Sequence, residues 1–222
     1  MTTIAFDTST SRTVAAASCG GAVAEAVLEP PGGGRPGHSA QLLAALDGLL
    51  DQAGSGWEEV DRIAVGTGPG TFTGLRIAAA TAEGLRRATG ATVVGVSSLE
   101  ALAQPALGGD LPVVSLIDAR RGEVFAAGWD PAGEPLFGPV AVSPDGLVEQ
   151  LAAVSGRWLV AGEAPEPFGA ALSRAGIAPP GDESRSAVSG RALCELAGRA
   201  LPVVGPVKPA YVREPDAVRA DG

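Results

Sequence analysis

The chain has 222 residues, 45% of them apolar and 4% aromatic, with a formal net charge of −9. This size and apolar content give one or two globular domains with cores of small side chains and exclude a wholly disordered chain. The acidic balance argues against a large electrostatic footprint on nucleic acid and leaves room only for a local basic patch or a basic partner.

The first elements form a meander. Ile4–Thr8, Thr13–Ser18 and Ala22–Leu28 read as strands, and Gly20-Gly21 between the last two supplies a hairpin turn. Pro30 to Gly37 is then read as a flexible loop. His38–Ala53 is an amphipathic helix with Leu42, Leu43, Leu46, Leu49 and Leu50 as its stripe and Gly54 as its stop. Val60–Gly66 is a fourth strand, Phe72–Ala88 a second helix closed by Gly90, and Thr92–Val96 a fifth strand. A short helix follows over Ser98–Gln104, capped by Ser97 or Ser98. Three meandering strands followed by βα units predict a ribonuclease-H-like mixed sheet covered by helices.

The plan then repeats. Val113–Asp118 is again an apolar strand ending in Asp, as Ile4–Asp7 is, and Gly122–Trp129 follows it as Thr13–Ser18 follows Asp7. The remaining elements are weaker: a strand near Val140, a helix over Ser143–Val154, a strand over Trp158–Ala161 and a helix over about Ala187–Ala200. The expected division is a first half over 1–104, a smaller, degraded second half over 111–213, and a loose tail over 214–222. Lys208–Arg213 is expected to be extended and to lie on the body.

The segment Gly66-Thr-Gly-Pro-Gly-Thr-Phe-Thr-Gly74-Leu-Arg76 is a glycine-rich turn from strand to helix. That layout offers backbone N–H groups to an anion. Leu75 stands where a P-loop places Lys, and the glycines at 66, 68, 70 and 74 miss the dinucleotide spacing. Asp7, Gly68 and Gly70 are the candidates for such a site, vestigial in character. The alternative is a tight connection in which the glycines allow backbone contact and Asp7 accepts turn hydrogen bonds. Asp118 has the same two readings, with Arg120 and Arg121 beside it for pairing.

His38 is the sole histidine. A zinc site needs three or four protein ligands, so it reads as a cap or surface residue, and no hydrolase triad is expected. Cys19 and Cys194 lie far apart without metal spacing, and reduced thiols are expected. No signal peptide and no membrane span is read, so a cytoplasmic protein is expected. The Leu-rich and Ala-rich helices 38–53 and 72–88 offer small or apolar faces to another protein, or to the chain's own sheet.

Taken together these segments resemble the TsaB (YeaZ) family of bacterial tRNA threonylcarbamoyladenosine biosynthesis proteins. The resemblance rests on Ile-Ala-Phe-Asp7-Thr8-Ser9, His38-Ser39, Gly68-Pro-Gly-Thr-Phe-Thr-Gly-Leu-Arg76, Gly95-Val-Ser-Ser-Leu-Glu-Ala-Leu102, Ile117-Asp-Ala-Arg-Arg-Gly-Glu-Val-Phe125 and Pro209-Ala-Tyr-Val-Arg213. Ala40 and Ala44 depart from the family, which often carries Glu and Pro there. The resemblance implies a two-lobed actin/sugar-kinase/Hsp70-type fold. It also implies a non-catalytic subunit without metal or firmly bound cofactor, which pairs with the catalytic subunit TsaD through the two helices. TsaE, an ATPase, would join them; ATP is used by the complex, and tRNA is met through it. Leu42, Leu49, Leu75, Ala79 and Glu83 are the expected contacts, and a homodimer is expected when the partner is absent. The rival expectation is an ATP-binding phosphotransferase of the same superfamily.

Overall fold

The structure is a computed structural model that describes residues 1–30, 38–154, 156–178 and 186–213. Most of the loop expected before His38, the side chain of His38 and the tail 214–222 lie outside the described residues.

The first sheet holds β1 (Thr2–Asp7), β2 (Thr13–Cys19), β3 (Ala22–Leu28), β4 (Val60–Gly66) and β5 (Thr92–Val96), in the order β3-β2-β1-β4-β5. β1, β2 and β3 pair antiparallel, and β1–β4 and β4–β5 pair parallel. The hairpin is tight because Gly20 and Gly21 take φ of 58° and 89°, which suits the primed turn that two-residue connections favour. The parallel pairs need crossovers, and α1 (His38–Gln52) and α2 (Phe72–Thr89) supply them.

The second sheet holds β6 (Val113–Arg120), β7 (Glu123–Trp129), β8 (Pro135–Val142) and β9 (Leu159–Gly162), in the order β8-β7-β6-β9. Its pairings repeat the first sheet strand for strand: antiparallel across β6–β7–β8, parallel for β6–β9. Asp7 stands opposite Val14, and Asp118 opposite Val124. Among the described residues the second sheet has no counterpart of β5. The repeat legible in the two strand-Asp segments is thus a repeat of sheet topology.

The helices lie where apolar faces need cover. Leu42, Leu46, Leu49 and Leu50 of α1 and Ala78 and Ala82 of α2 pack on Ile4, Phe6, Ile63 and Val65. Leu43 departs from the expected stripe and is 48% exposed. The opposite face of the first sheet is covered by α6 (Gly190–Ala197), through Ala192, Leu193 and Leu196. That helix falls inside the 111–213 segment but packs on the first sheet, so chain order and packing part company there. Helix α3 (Ser98–Ala103) lies between the sheets. Its Ala101 joins the first core, and Leu99, Leu102 and Ala103 join Val113, Ile117 and Phe125 of the second. α4 (Pro144–Ala152) and α5 (Phe168–Arg174) cover the far face of the second sheet with Leu147, Leu151, Phe168 and Leu172.

Helix α5 was not expected, because Pro165, Pro167 and Gly169 mark a loop. Phe168, Ala171 and Leu172 have the i, i+3, i+4 spacing that carries one buried face, and that face decides. Among the described residues no helix is long and apolar enough to cross a membrane.

Leu46 is fully buried. Leu46→Ala should lower the unfolding free energy by about 2–5 kcal/mol in a urea titration, and Leu43→Ala should change it by no more than about 0.5 kcal/mol. The Cys194 thiol on α6 is pushed up to about 12, by burial first and then by Glu25 and Glu195. The unfolded chain therefore loses this proton before the folded one. The stabilisation is complete below the ordinary thiol pKa and declines as pH rises from there toward about 12. Cys194→Ala should flatten that alkaline decline in pH-dependent unfolding measurements.

Candidate functional site

Asp7 ends β1 and is fully buried. Both carboxylate oxygens are occupied by the chain itself. Oδ1 accepts from the Ser9 backbone N–H at 2.7 Å and from the Ser9 hydroxyl at 2.6 Å. Oδ2 accepts from the Ser98 hydroxyl, which in turn accepts from the Gly68 N–H at 3.0 Å. The Ser98 N–H donates to the Gly68 carbonyl at 2.9 Å. One buried carboxylate thereby joins the end of β1, the glycine-rich turn and the start of α3, with the hydrogen bonds a buried charge requires.

The turn itself is pressed against Thr8 and Ser9. Thr71 N–H donates to the Ser9 carbonyl at 2.7 Å, and the Thr8 hydroxyl donates to the Gly74 carbonyl at 2.7 Å. The Thr71 hydroxyl caps α2 by accepting from Gly74 N–H at 3.3 Å. A Cβ on Gly66 would stand 1.8 Å from Asp7 Oδ2, and one on Gly74 1.8 Å from the Thr8 carbonyl oxygen. Gly70 lies against the Ser9 backbone in the same way. Asp7, Gly68 and Gly70 are brought together as expected, but the space between them is filled by backbone. The carbonyl oxygens of Thr8 and Ser9 are the nearest groups facing Gly74 and Gly70. The glycines allow close backbone contact there, and Asp7 accepts hydrogen bonds from its own turn.

Asp118, at the matching place in the second sheet, is also bonded within its own turn. It accepts from Arg120 N–H at 2.7 Å and pairs with the Arg120 guanidinium at 3.1 Å. The β6–β7 turn holds Arg120 and Arg121 at φ of 64° and 57°, a conformation that costs a side-chain-bearing residue energy.

Between the two Asp-bearing ends opens a cavity of about 470 Å³. It is walled by Gly70–Phe72, by Asp118–Arg121 and Phe125, and by Ala210–Arg213. The tail is a strap across it. Ala210 N–H donates to the Thr67 carbonyl of the first lobe at 2.8 Å. Arg213 donates to the Ala119 carbonyl at 2.6 Å and pairs with Glu123 at 3.1 Å in the second. Tyr211 and Phe72 meet with ring centroids 6.0 Å apart, and the Arg76 guanidinium lies 4.0 Å from the Phe72 ring centroid. On the other side of the cleft Arg12 bridges the lobes, pairing with Glu29 at 2.6 Å and Glu163 at 2.9 Å. Phe72, Arg76, Arg12 and the Arg120–Arg121 turn were not singled out from sequence as site residues. The Pro209–Arg213 motif was the one local signal pointing to the strap.

Of the expected partner contacts, Leu42, Leu49 and Leu75 are buried in the chain's own core, at 1%, 4% and 2% exposure. They are occupied and cannot meet a partner, because the apolar face of each helix is spent on the sheet. Ala79 and Glu83 are half-buried on the outer side of α2, and Glu83 pairs with Arg86 at 2.8 Å and Arg87 at 3.2 Å. The Arg86 hydrogen bond foremost holds the Glu83 carboxyl below its usual range. Among the described residues no group of three His, Cys, Asp or Glu side chains is placed to hold a metal.

Two sheets of one plan, facing each other across a cleft and joined by α3, define the two-lobed actin/sugar-kinase/Hsp70 class of fold. A family model described as TsaD: tRNA N6-adenosine threonylcarbamoyltransferase matches residues 23–160. The TsaB protein of Escherichia coli K12, described as a tRNA threonylcarbamoyladenosine biosynthesis protein, is 30% identical over 131 residues, covering 56% of this chain and 57% of that protein. The Haemophilus influenzae TsaB is 41% identical over 90 residues, covering 40% of this chain and 38% of its own length. The chain thus spans roughly half or less of the known relatives it matches by sequence. The solved structure titled YeaZ from Pseudomonas aeruginosa aligns over 95% of this chain and 99% of its own, with a TM-score of 0.72 and 26% identity. A second, titled as an uncharacterized protein with similarity to peptidase YEAZ from that organism, aligns over 96% and 99%, with a TM-score of 0.75 and 29% identity. The chain belongs to the TsaB/YeaZ group within the TsaD family.

If the glycines serve close backbone approach, Gly74→Ala should destabilise the protein by about 1–3 kcal/mol or more. Gly84→Ala, exposed in α2 with nothing near its Cβ position, should stabilise it by about 0.5–1 kcal/mol. Urea titrations of the two variants check the contrast.

Proposed function

We propose that this chain is a non-catalytic subunit of tRNA threonylcarbamoyladenosine biosynthesis that pairs with the catalytic transferase TsaD. The family supports the pathway, and the observation that carries the non-catalytic reading is the closed Asp7 network. An Asp at that strand end could serve a phosphate or a metal only with a free oxygen and open space beside the turn. Here both oxygens are hydrogen-bonded within the chain and the turn is packed against Thr8 and Ser9. The chain then holds no nucleotide firmly, and the ATP of the complex is used by TsaE.

Pairing is assigned to the outer faces of α1 and α2. Leu43 and Phe72 are large apolar side chains, 48% and 49% exposed, and Ala79 and Ala80 are small enough for a partner helix to approach closely. This face replaces the buried Leu42, Leu49 and Leu75, and Ala79 and Glu83 remain on it. Apolar and small side chains suit a permanent interface better than a transient one. Without its partner the same face would serve a homodimer. tRNA is then met within the assembly.

Reconstitution of tRNA modification from purified subunits, with and without this chain, is the test. Loss of modification when the chain is left out supports the reading, and unchanged modification overturns it. Ala79→Glu and Leu43→Asp should abolish co-purification with TsaD while leaving the urea midpoint of the isolated chain unchanged. Calorimetry of the isolated chain with ATP and magnesium should be silent. Tight binding with turnover would favour the phosphotransferase instead.

A further inference from the structure

The strap across the cleft is seated differently at its two ends. Toward the first lobe it follows β5. Val203 N–H donates to the Val93 carbonyl at 2.8 Å, Pro202 bridges antiparallel to Val94, and Val203 and Val207 pack on the first core. Ala210 N–H then reaches the Thr67 carbonyl, and Tyr211 meets Phe72. Toward the second lobe, among the described residues, the hold is shorter. Val212 packs on the core around Ile117 and Phe125, and Arg213 bonds the Ala119 carbonyl and Glu123. Lys208 to Arg213 are all exposed or half-buried. Helix α3, which both lobes share, has Leu99, Ala101, Leu102 and Ala103 buried.

Segments with few buried apolar contacts open locally at a much lower free energy than a core does, and a partly exposed ion pair adds little to hold them. The second-lobe end of the strap has both properties, and α3 has neither. We propose that the strap is a releasable cover. Val212 and Arg213 detach from the second lobe while the strap stays rooted on β5, and the second lobe turns on α3 to open the cavity of about 470 Å³ that the strap walls. The step breaks the Arg213 bonds to Ala119 and Glu123 and the Val212 contact, and leaves both sheets intact. With Arg12 still holding Glu163 at the other edge of the cleft, the opening is one-sided. This goes beyond the subunit assignment: it gives the isolated chain a closed and an open state, and it needs neither TsaD nor a nucleotide.

The test is thiol accessibility beneath the strap, in the full chain carrying Ala119→Cys and Cys19→Ala. Ala119 lines the cavity and is 7% exposed. Cys194, half-buried on α6 at the opposite face of the first sheet from Val203 and Val207, is kept as an internal control for unfolding. Maleimide labelling is followed by peptide mass spectrometry. Arg213→Glu should speed labelling at position 119 about fivefold and Tyr211→Ala about threefold, with labelling of Cys194 unchanged. Glu123→Arg added to Arg213→Glu should return the rate toward that of the parent, because the pair is restored with its charges exchanged. Should Arg213→Glu lower the melting temperature, Tyr211→Ala carries the test. Small-angle scattering of the same strap variant in the otherwise unaltered sequence should show a larger radius of gyration, a measurement that does not depend on the introduced thiol. Labelling at position 119 that the strap variants leave unchanged overturns the proposal. So does a rise that Cys194 shares in equal proportion, which is unfolding rather than opening, or an unchanged radius of gyration. These outcomes are separable from the subunit assignment, because they are read on the chain alone and that assignment is read from tRNA modification.

Discussion

One buried carboxylate organises the centre of this protein. Among the described residues no ion pair reaches the fully buried Asp7, so its stability depends on the donors that reach it from Ser9 and Ser98. Those donors can arrive only if the turn after β4 lies almost in contact with the end of β1. The glycines at 66 and 74 permit that approach, since any side chain there would meet Asp7 or Thr8. Ser98 completes the network and at the same time fixes the first residue of α3. Because α3 is packed into the cores of both sheets, the direction in which it leaves Asp7 sets how the two lobes meet.

The lobes are then tied at the cleft's edges by different means. On one side the tail runs from Thr67 to Glu123 as a strap, with Tyr211 resting on Phe72. On the other, Arg12 reaches Glu163 and Glu29 together, a partly exposed pair of contacts that adds modest energy and fixes orientation. Helix α6 adds a third tie, returning from the second half of the chain to seal the first sheet. Fully buried alanines such as Ala5, Ala16 and Ala64 leave the room for that return. The scarcity of aromatics is in this sense an architectural property: helices approach both faces of the first sheet closely because few large rings stand between.

The end of β1 is closed by the chain's own hydrogen bonds. Arg120 and Arg121 of the β6–β7 turn and Arg213 of the strap line the cavity between the sheets. Leu43 of α1 and Phe72 of α2 stay exposed, while Leu42, Leu46, Leu49 and Leu50 are buried against the sheet.

Local pattern alone determined a good deal. Period-two and 3.6-residue spacings, Gly20-Gly21, Gly90 and the cap at Ser97 place β3, β4, β5, α2 and α3 within a residue or so, because each of these signals is a short-range physical requirement. The repeated strand-Asp segments carried the two-sheet plan for the same reason: identical local demands recur half a chain apart. Tertiary structure decided the rest. Which leucines of α1 are buried depends on the face the sheet claims, and spacing alone cannot separate Leu43 from Leu42. Helix α5 exists because a buried face outweighs its flanking prolines. Whether the glycine-rich turn cradles an anion or a neighbouring strand end depends on what lies across from it, and Thr8 and Ser9 come from a segment far away in sequence. The cleft is assembled from three such segments, α2, the β6–β7 turn and the tail, adjacent only once the two sheets have met.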